Sequence, residues 1–169
     1  LGLGLGVDTS RELSGLGEIV DARVRGDRLD EGADLLTAMW TGEPVTHSGR
    51  HFVADEVTVL PRPLQQPRIP MWFAARGAAR KPVRRAARFD GLFPVDIDER
   101  SLAQMVDVVR TERGSHDGYD VAAKPSGASQ YAAFAEIGMT WAIASIGPHD
   151  TNALDVAQTI PADYFGSRP

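Results

Sequence analysis

Residues 67–94 read PRIPMWFAARGAARKPVRRAARFDGLFP, and this stretch decides the fold class. Its apolar, aromatic segment at residues 69–75 is too short for a buried helix and is typical of a buried strand. The break at Gly77 precedes a helical pattern, and Asp90-Gly91 ends that helix before a second apolar run begins. A strand, a helix and a strand of these lengths form a βαβ unit. Such a unit implies a parallel sheet with a right-handed crossover.

The end of the first of these strands is where chemistry is expected. In parallel α/β architectures, ligands bind outside the carboxyl ends of the strands. Ala74, Ala75, Arg76 and Gly77 lie there, and small residues allow a ligand to approach the backbone closely. The basic helix that follows would add the positive end of its dipole, as in a phosphate cradle. Taken alone, however, the stretch is explained more simply as an amphipathic helix with a basic, solvated face.

The rest of the chain continues the alternation of strand and helix patterns. A long polar loop at residues 8–27 precedes a helix predicted at residues 29–40, and a β-hairpin with a Ser-Gly turn is predicted at residues 45–53. A possible capping box at Ser101 and Gln104 marks the start of a helix that ends near Arg113. The later predicted elements are strands at residues 119–123 and 140–146 and helices at residues 129–137 and 152–160. This order is the signature of a parallel α/β sheet or barrel.

Composition limits the classes of function. The chain has 169 residues with a net charge of −5, so bulk electrostatics predict no nucleic-acid partner. It contains no cysteine, which excludes disulfides and thiolate metal sites. No apolar run reaches membrane-spanning length, so we expect no membrane partner and a cytoplasmic location. A buried-strand pattern begins at residue 1 without a methionine, which suggests that the first part of a longer protein is missing.

Several other polar residues are weaker candidates for a functional site. His47 and His51 flank the predicted hairpin turn, and a metal site would need a third ligand. Asp96 and Asp98 follow the second strand of the βαβ unit, where loop solvation is the simpler interpretation. His149 follows the last predicted strand. The three tryptophans are most simply core residues.

The chain resembles the bacterial luciferase-like family of flavin- or F420-dependent oxidoreductases. Any one of the matching motifs is weak, but their joint order and spacing make the resemblance specific. The motifs are GLGLG at residues 2–6, RLDEGADLLTAMWTGEPVTHSGRHF at 28–52, LPRPLQQPRIPMWFAA at 60–75, RRAARFDGLFPVD at 84–96 and GMTWAI at 138–143.

The resemblance implies a fold. Members of the family are (β/α)8 barrels with an insertion after the fourth strand, so the chain would be one incomplete barrel domain over residues 1–169, with the insertion at about residues 8–68. The fourth to eighth strands would then lie at residues 1–7, 69–75, 89–95, 119–123 and 140–146. Such barrels usually need about 250 residues, so the fold class expected here is a partial α/β barrel.

The resemblance also implies a cofactor site, for FMN or coenzyme F420. In the family the phosphate meets the loop after the fifth strand, which here is Ala75, Arg76 and Gly77. This independent match favours the phosphate site over the solvated helix. The GLGLG strand packs near the flavin-like ring in relatives, which makes Gly4 and Gly6 cofactor-binding candidates. Arg25 and Arg28 are further candidates, because basic residues after the fourth strand can lie near the phosphate. The alternative is that they belong to a solvated helix start.

The expected function follows from that site. The chain would be all or part of an oxidoreductase or monooxygenase that acts on a small organic substrate. No residue stands out as catalytic, because much of the family's substrate pocket comes from strands absent here. The alternative is a non-catalytic remnant of a barrel, or a subunit that depends on a partner. Unpaired sheet edges would favour aggregation or a homodimer.

Overall fold

The computed structural model describes residues 1–77, 80–126 and 128–145. The chain divides into two compact units. One comprises Leu1 with Leu3–Pro70, and the other comprises Gly2 with the described residues from Met71 onward. The single incomplete barrel domain stays a prediction. The helix predicted at residues 152–160 and His149 lie outside the described residues.

Strand β1 (Gly2–Leu3) is shorter than the predicted strand at residues 1–7. The prediction fails beyond Leu3. Gly6 has φ +67°, a left-handed conformation that breaks an extended strand. The carbonyl oxygens of Leu5 and Gly6 accept hydrogen bonds from Arg25 Nη1, at 2.6 and 3.4 Å, instead of from a neighbouring strand.

Helix α1 (Ala22–Met39) is the main helix of the first unit. It begins earlier than the predicted start at residue 29, so the predicted loop is wrong over residues 22–27. The reason is that Asp21, inside the predicted loop, is the N-cap of the helix. The Asp21 carboxylate accepts a hydrogen bond from Val24 N at 2.8 Å, which satisfies an N–H group of the first turn.

The predicted hairpin is confirmed, with longer strands. β2 (Val45–Ser48) and β3 (Val53–Val57) pair antiparallel in a two-stranded sheet of their own. The side chain of Glu31, on α1, binds the turn of this hairpin. The carboxylate accepts the backbone N–H groups of His51 and Phe52, at 3.0 and 2.8 Å, and lies 3.1 Å from His47 Nε2. One carboxylate thus links the helix to the hairpin.

The second unit contains the predicted βαβ pattern, and the α/β fold class is confirmed. The strand order in the sheet is β1-β4-β5-β6-β7. The neighbours from β4 to β7 pair in parallel. Their bounds are β4 (Trp72–Arg76), β5 (Gly91–Val95), β6 (Asp120–Ala123) and β7 (Trp141–Ala142). The helices are α2 (Arg80–Ala87), α3 (Glu99–Arg113) and α4 (Ala128–Ile137). The last strand is shorter than predicted, and residue 146 lies outside the described residues.

The core of the second unit lies between the sheet and its helices. Phe73, Leu92 and Val121 occupy one register row across β4, β5 and β6, and each is fully buried. The helices contribute further buried side chains to the same core, namely Val83, Leu102, Met105, Val106, Val109 and Phe134. Burial of an apolar side chain of this size stabilises the fold by about 1.5–3 kcal/mol. These buried residues hold the strands in register, so the ends of neighbouring strands lie side by side.

The capping prediction for α3 is wrong in detail. Its N-cap is Asp98, whose carboxylate accepts a hydrogen bond from Ser101 N at 2.8 Å, and not Ser101 itself. The helix ends at Arg113, as predicted, because Gly114 adopts the left-handed conformation that closes many helices. The cap places Asp98 at the carboxyl end of β5, close in sequence to Asp96.

Candidate functional site

The loop after β4 lies at the carboxyl end of the parallel sheet. Ala75 is buried and Arg76, the last residue of the strand, is exposed. Gly77 has φ +61°, a conformation that side-chain-bearing residues rarely adopt. A Cβ atom on Gly77 would meet no described atom within 4 Å, so the turn borders open space. The predicted residues Ala75, Arg76 and Gly77 therefore form an accessible turn carrying one guanidinium group.

Asp96 follows β5, the neighbouring strand, and pairs with this guanidinium. Arg76 and Val95 are register partners, so the residues that end the two strands lie side by side. Arg76 Nη1 and Asp96 Oδ2 are 2.5 Å apart, and their side chains are 62% and 69% exposed. Asp96 has φ +51°. The sequence interpretation of Asp96 as a solvated loop carboxylate missed this pair, although both residues end adjacent strands of one βαβ unit.

A cavity of about 690 Å³ opens at the carboxyl ends of β5 and β6. Its apolar part comes mainly from the end of β5, and its polar lining consists of Asp96, Asp98, Ser101, Lys124, Ser126 and Gln130. Hydrogen bonds from the Ser101 side chain and backbone hold the pKa of Asp98 below its ordinary value. The cavity thus carries both signs of charge beside the Arg76–Asp96 pair.

The opposite, amino ends of the same strands form a tightly bonded cluster. Asp90 Oδ2 accepts the buried Met71 N–H at 2.7 Å. Asp120 accepts indole N–H groups from Trp72 at 3.2 Å and Trp141 at 2.9 Å. The two indole rings lie 5.6 Å apart and are tilted by 55°. The prediction that the tryptophans are core residues is wrong for Trp141, which is 44% exposed.

The predicted glycines Gly4 and Gly6 lie in the first unit. Gly4 lines a cavity of about 390 Å³ with mostly apolar walls, and Arg25 and Arg28 belong to the same lining. Arg25 Nη1 donates hydrogen bonds to the backbone carbonyl oxygens of Leu5 and Gly6. Arg28 lies over the Phe52 ring, 5.7 Å from its centroid. Both arginines therefore have contacts inside this unit, and a place for them near a phosphate stays a prediction.

His47 lies in β2, and His51 lies in the hairpin connection between β2 and β3. Within the described ranges, no group of three or more His, Cys, Asp or Glu residues is placed to hold a metal ion. His47 and the backbone of His51 instead contact Glu31. Desolvation raises the pKa of Glu31, but hydrogen bonds from His47, Phe52 and His51 outweigh it and lower the pKa to about 2. In the described part of the chain, no helix is long and apolar enough to cross a membrane.

Known structures share this fold. An F420-dependent secondary alcohol dehydrogenase, solved with an F420-acetone adduct, superposes with a TM-score of 0.62 and 22% identity over 73% of this chain and 38% of that protein. The monooxygenase RslO1 from Streptomyces bottropensis gives a TM-score of 0.60 and 20% identity over 75% of this chain and 40% of that protein. At such identities the likeness concerns the fold alone.

Sequence comparison adds the family. An F420-dependent glucose-6-phosphate dehydrogenase of Microbacterium testaceum is 33% identical over 79 residues, which are 47% of this chain and 23% of that relative. The oxygenase component of a flavin-dependent trigonelline monooxygenase from Acinetobacter baylyi is 39% identical over 57 residues, 34% of this chain and 16% of that relative. The chain thus spans less than a quarter of these relatives. The family model for luciferase-like monooxygenases matches residues 1–133, and the chain belongs to that family.

Proposed function

We propose that the protein acts in a flavin- or F420-dependent oxidoreductase or monooxygenase of the luciferase-like class, on a small organic substrate. The observation that carries the proposal is the family match over residues 1–133, which includes the whole carboxyl-end loop of β4. Both kinds of cofactor occur in the names of the similar proteins. When bound, the isoalloxazine or deazaflavin ring would supply the redox chemistry, and the protein would supply position and electrostatics.

The residues at the carboxyl end of β4 suit the phosphate group of such a cofactor. Gly77 lets the backbone turn with open space beside it, and Arg76 can bind phosphate oxygens in a fork. The adjoining cavity of about 690 Å³ is large enough for part of a drug-sized ligand. Ala75 anchors the turn because it is buried in the sheet. A contribution of Gly4 and Gly6 near the cofactor ring remains part of this proposal, and it rests on the family resemblance.

The test is a titration of F420 and of FMN into the chain, with and without Arg76→Ala. A hydrogen-bonded contact to a charged group contributes about 1.5–3 kcal/mol, so the substitution should weaken binding about ten- to a hundredfold. Arg110→Ala is the matched control. It removes the same charge from an exposed side chain near the end of α3, away from the carboxyl ends of the strands.

Unchanged affinity of Arg76→Ala for both cofactors would show that this loop is not the phosphate site. A chain that bound neither cofactor would refute the cofactor assignment and favour the non-catalytic or partner-dependent alternative. The substrate is proposed only as a small organic molecule. The cytoplasmic location and the homodimer stay predictions.

A further inference from the structure

We propose that Asp96 makes the Arg76 loop favour a phosphate group with one negative charge over a phosphate group with two, and hence F420 over FMN. The inference rests on the proposed function, because it concerns the same phosphate site. It goes further by assigning a specificity role to a residue that does not itself bind the cofactor.

The geometry leaves Arg76 able to bind a phosphate while Asp96 stays beside it. A guanidinium group has five N–H donors, and the contact with Asp96 Oδ2 uses Nη1. Among the described residues, none contacts the donors on Nε and Nη2, which can bind an oxyanion on the other edge of the fork. From ordinary hydrogen-bond lengths, that oxyanion would lie roughly 6 Å from the Asp96 carboxylate. The carboxylate is therefore both the partner of Arg76 and a repulsive neighbour of the phosphate.

The charges near the pair are of both signs. Arg76 and Asp96 form one ion pair, and the described lining of the adjoining cavity contains Asp98 and Lys124. The Asp96 carboxylate is the negative charge that contacts Arg76 directly. An additional negative charge on a ligand held by Arg76 therefore meets this carboxylate at short range.

The two cofactors differ in the charge of their phosphate groups. FMN carries a phosphomonoester, whose second pKa near 6 gives it about −1.5 to −2 charges at pH 7. F420 carries a phosphodiester, which holds one negative charge. Repulsion across roughly 6 Å at a solvated surface costs the additional charge a factor of about three to ten in affinity. Asp96 therefore weakens the binding of a phosphate group with two negative charges more than that of a group with one, a role called here the charge filter.

The experiment compares FMN with its methyl phosphodiester, which has the same ring and one charge less, and adds F420 as the natural diester. Dissociation constants are measured for the native chain and for Asp96→Asn, Asp96→Glu and Asp107→Asn. Asparagine is isosteric with aspartate and tolerates the left-handed backbone found at Asp96. Asp107→Asn removes the same charge from an exposed position on α3 that lines a different cavity.

We expect Asp96→Asn to tighten FMN binding about three- to tenfold more than binding of either diester. Asp96→Glu and Asp107→Asn should keep the native ratio of the two affinities. A ratio is informative because general damage to the fold would weaken all ligands alike. If the native chain binds and Asp96→Asn leaves the ratio unchanged, the charge filter is refuted and the proposed function stands. If the native chain binds no cofactor, the proposed function fails and the charge filter fails with it.

Discussion

The two ends of the parallel sheet in the second unit use the same residue types for different purposes. At the amino ends, Asp90 and Asp120 accept N–H groups from the backbone and from indole rings. At the carboxyl ends, Asp96 pairs with an exposed arginine beside a cavity. A carboxylate that satisfies a buried N–H is costly to remove, whereas an exposed ion pair contributes little to stability. The carboxylates at the two ends therefore differ in their environment and not in residue type.

The largest expected effect comes from the closest packing at the amino ends. A Cβ atom on Gly91 would lie 2.5 Å from Trp72 Cδ1 and 2.9 Å from the Asp120 carbonyl oxygen. Gly91→Ala should lower the free energy of unfolding by about 3 kcal/mol, the upper end of the cost of overpacking. Urea denaturation followed by circular dichroism measures it. Gly2→Ala is the control, because a Cβ there meets nothing within 4 Å. Equal stability of the two variants would contradict the packing argument.

The next effect concerns the hydrogen bond that joins β5 to the start of β4. Asp90→Ala leaves the N–H of the buried Met71 without this acceptor and should cost about 2 kcal/mol of stability. The same denaturation experiment applies. A variant as stable as the native chain would mean that the amino ends do not depend on this carboxylate.

A smaller, pH-dependent effect tests whether a carboxylate that accepts backbone N–H groups also stabilises the first unit. The folded pKa of Glu31 is lowered to about 2, from an ordinary value of 4.5. Its stabilising contribution is therefore complete above the unfolded pKa and is lost as the pH falls from about 4.5 toward about 2. Glu31→Gln should remove this part of the acid dependence while the remaining carboxylates keep theirs. Identical acid-unfolding curves for the two proteins would refute the anchoring role.

The smallest expected effect on stability lies at the carboxyl ends. Asp96→Asn should change the free energy of unfolding by less than about 0.5 kcal/mol, because the pair with Arg76 is exposed and asparagine tolerates the same backbone. Thermal unfolding in the absence of ligand measures it. A loss comparable with that of Asp90→Ala would erase the distinction between the two ends.

The sequence predicts this sheet because its signals are local. Apolar runs, the break at Gly77 and the stop at Asp90-Gly91 each act within a few residues, and the structure bears them out. It misses what depends on distant neighbours. The sequence pattern predicts Asp90 only as the end of a helix, but its carboxylate accepts the backbone N–H of Met71. The side chain of Trp72, a residue of another strand, leaves no room for a Cβ atom at Gly91. No single-sequence pattern encodes such contacts.

Two further errors have the same cause. The start of α1 was missed because the side chain of Asp21 decides it, in a segment whose Gly and Asp content favours a loop. The pairing of Arg76 with Asp96 was missed because a strand register brings them together. The predicted phosphate loop itself rests on the family resemblance more than on local pattern. Sequence therefore indicated where the candidate site lies, and the structure supplied the charges that surround it.

The most direct test of the division between the two ends is one paired measurement on Arg76→Ala and Asp90→Ala. The free energy of unfolding and the dissociation constant for F420 are determined on the same preparations. We predict that Arg76→Ala weakens F420 binding about ten- to a hundredfold with less than about 0.5 kcal/mol lost in stability. Asp90→Ala should show the reverse, with about 2 kcal/mol lost and near-native affinity of the folded protein. The account is contradicted if both variants lose affinity equally, or if Arg76→Ala destabilises the fold and leaves binding unchanged.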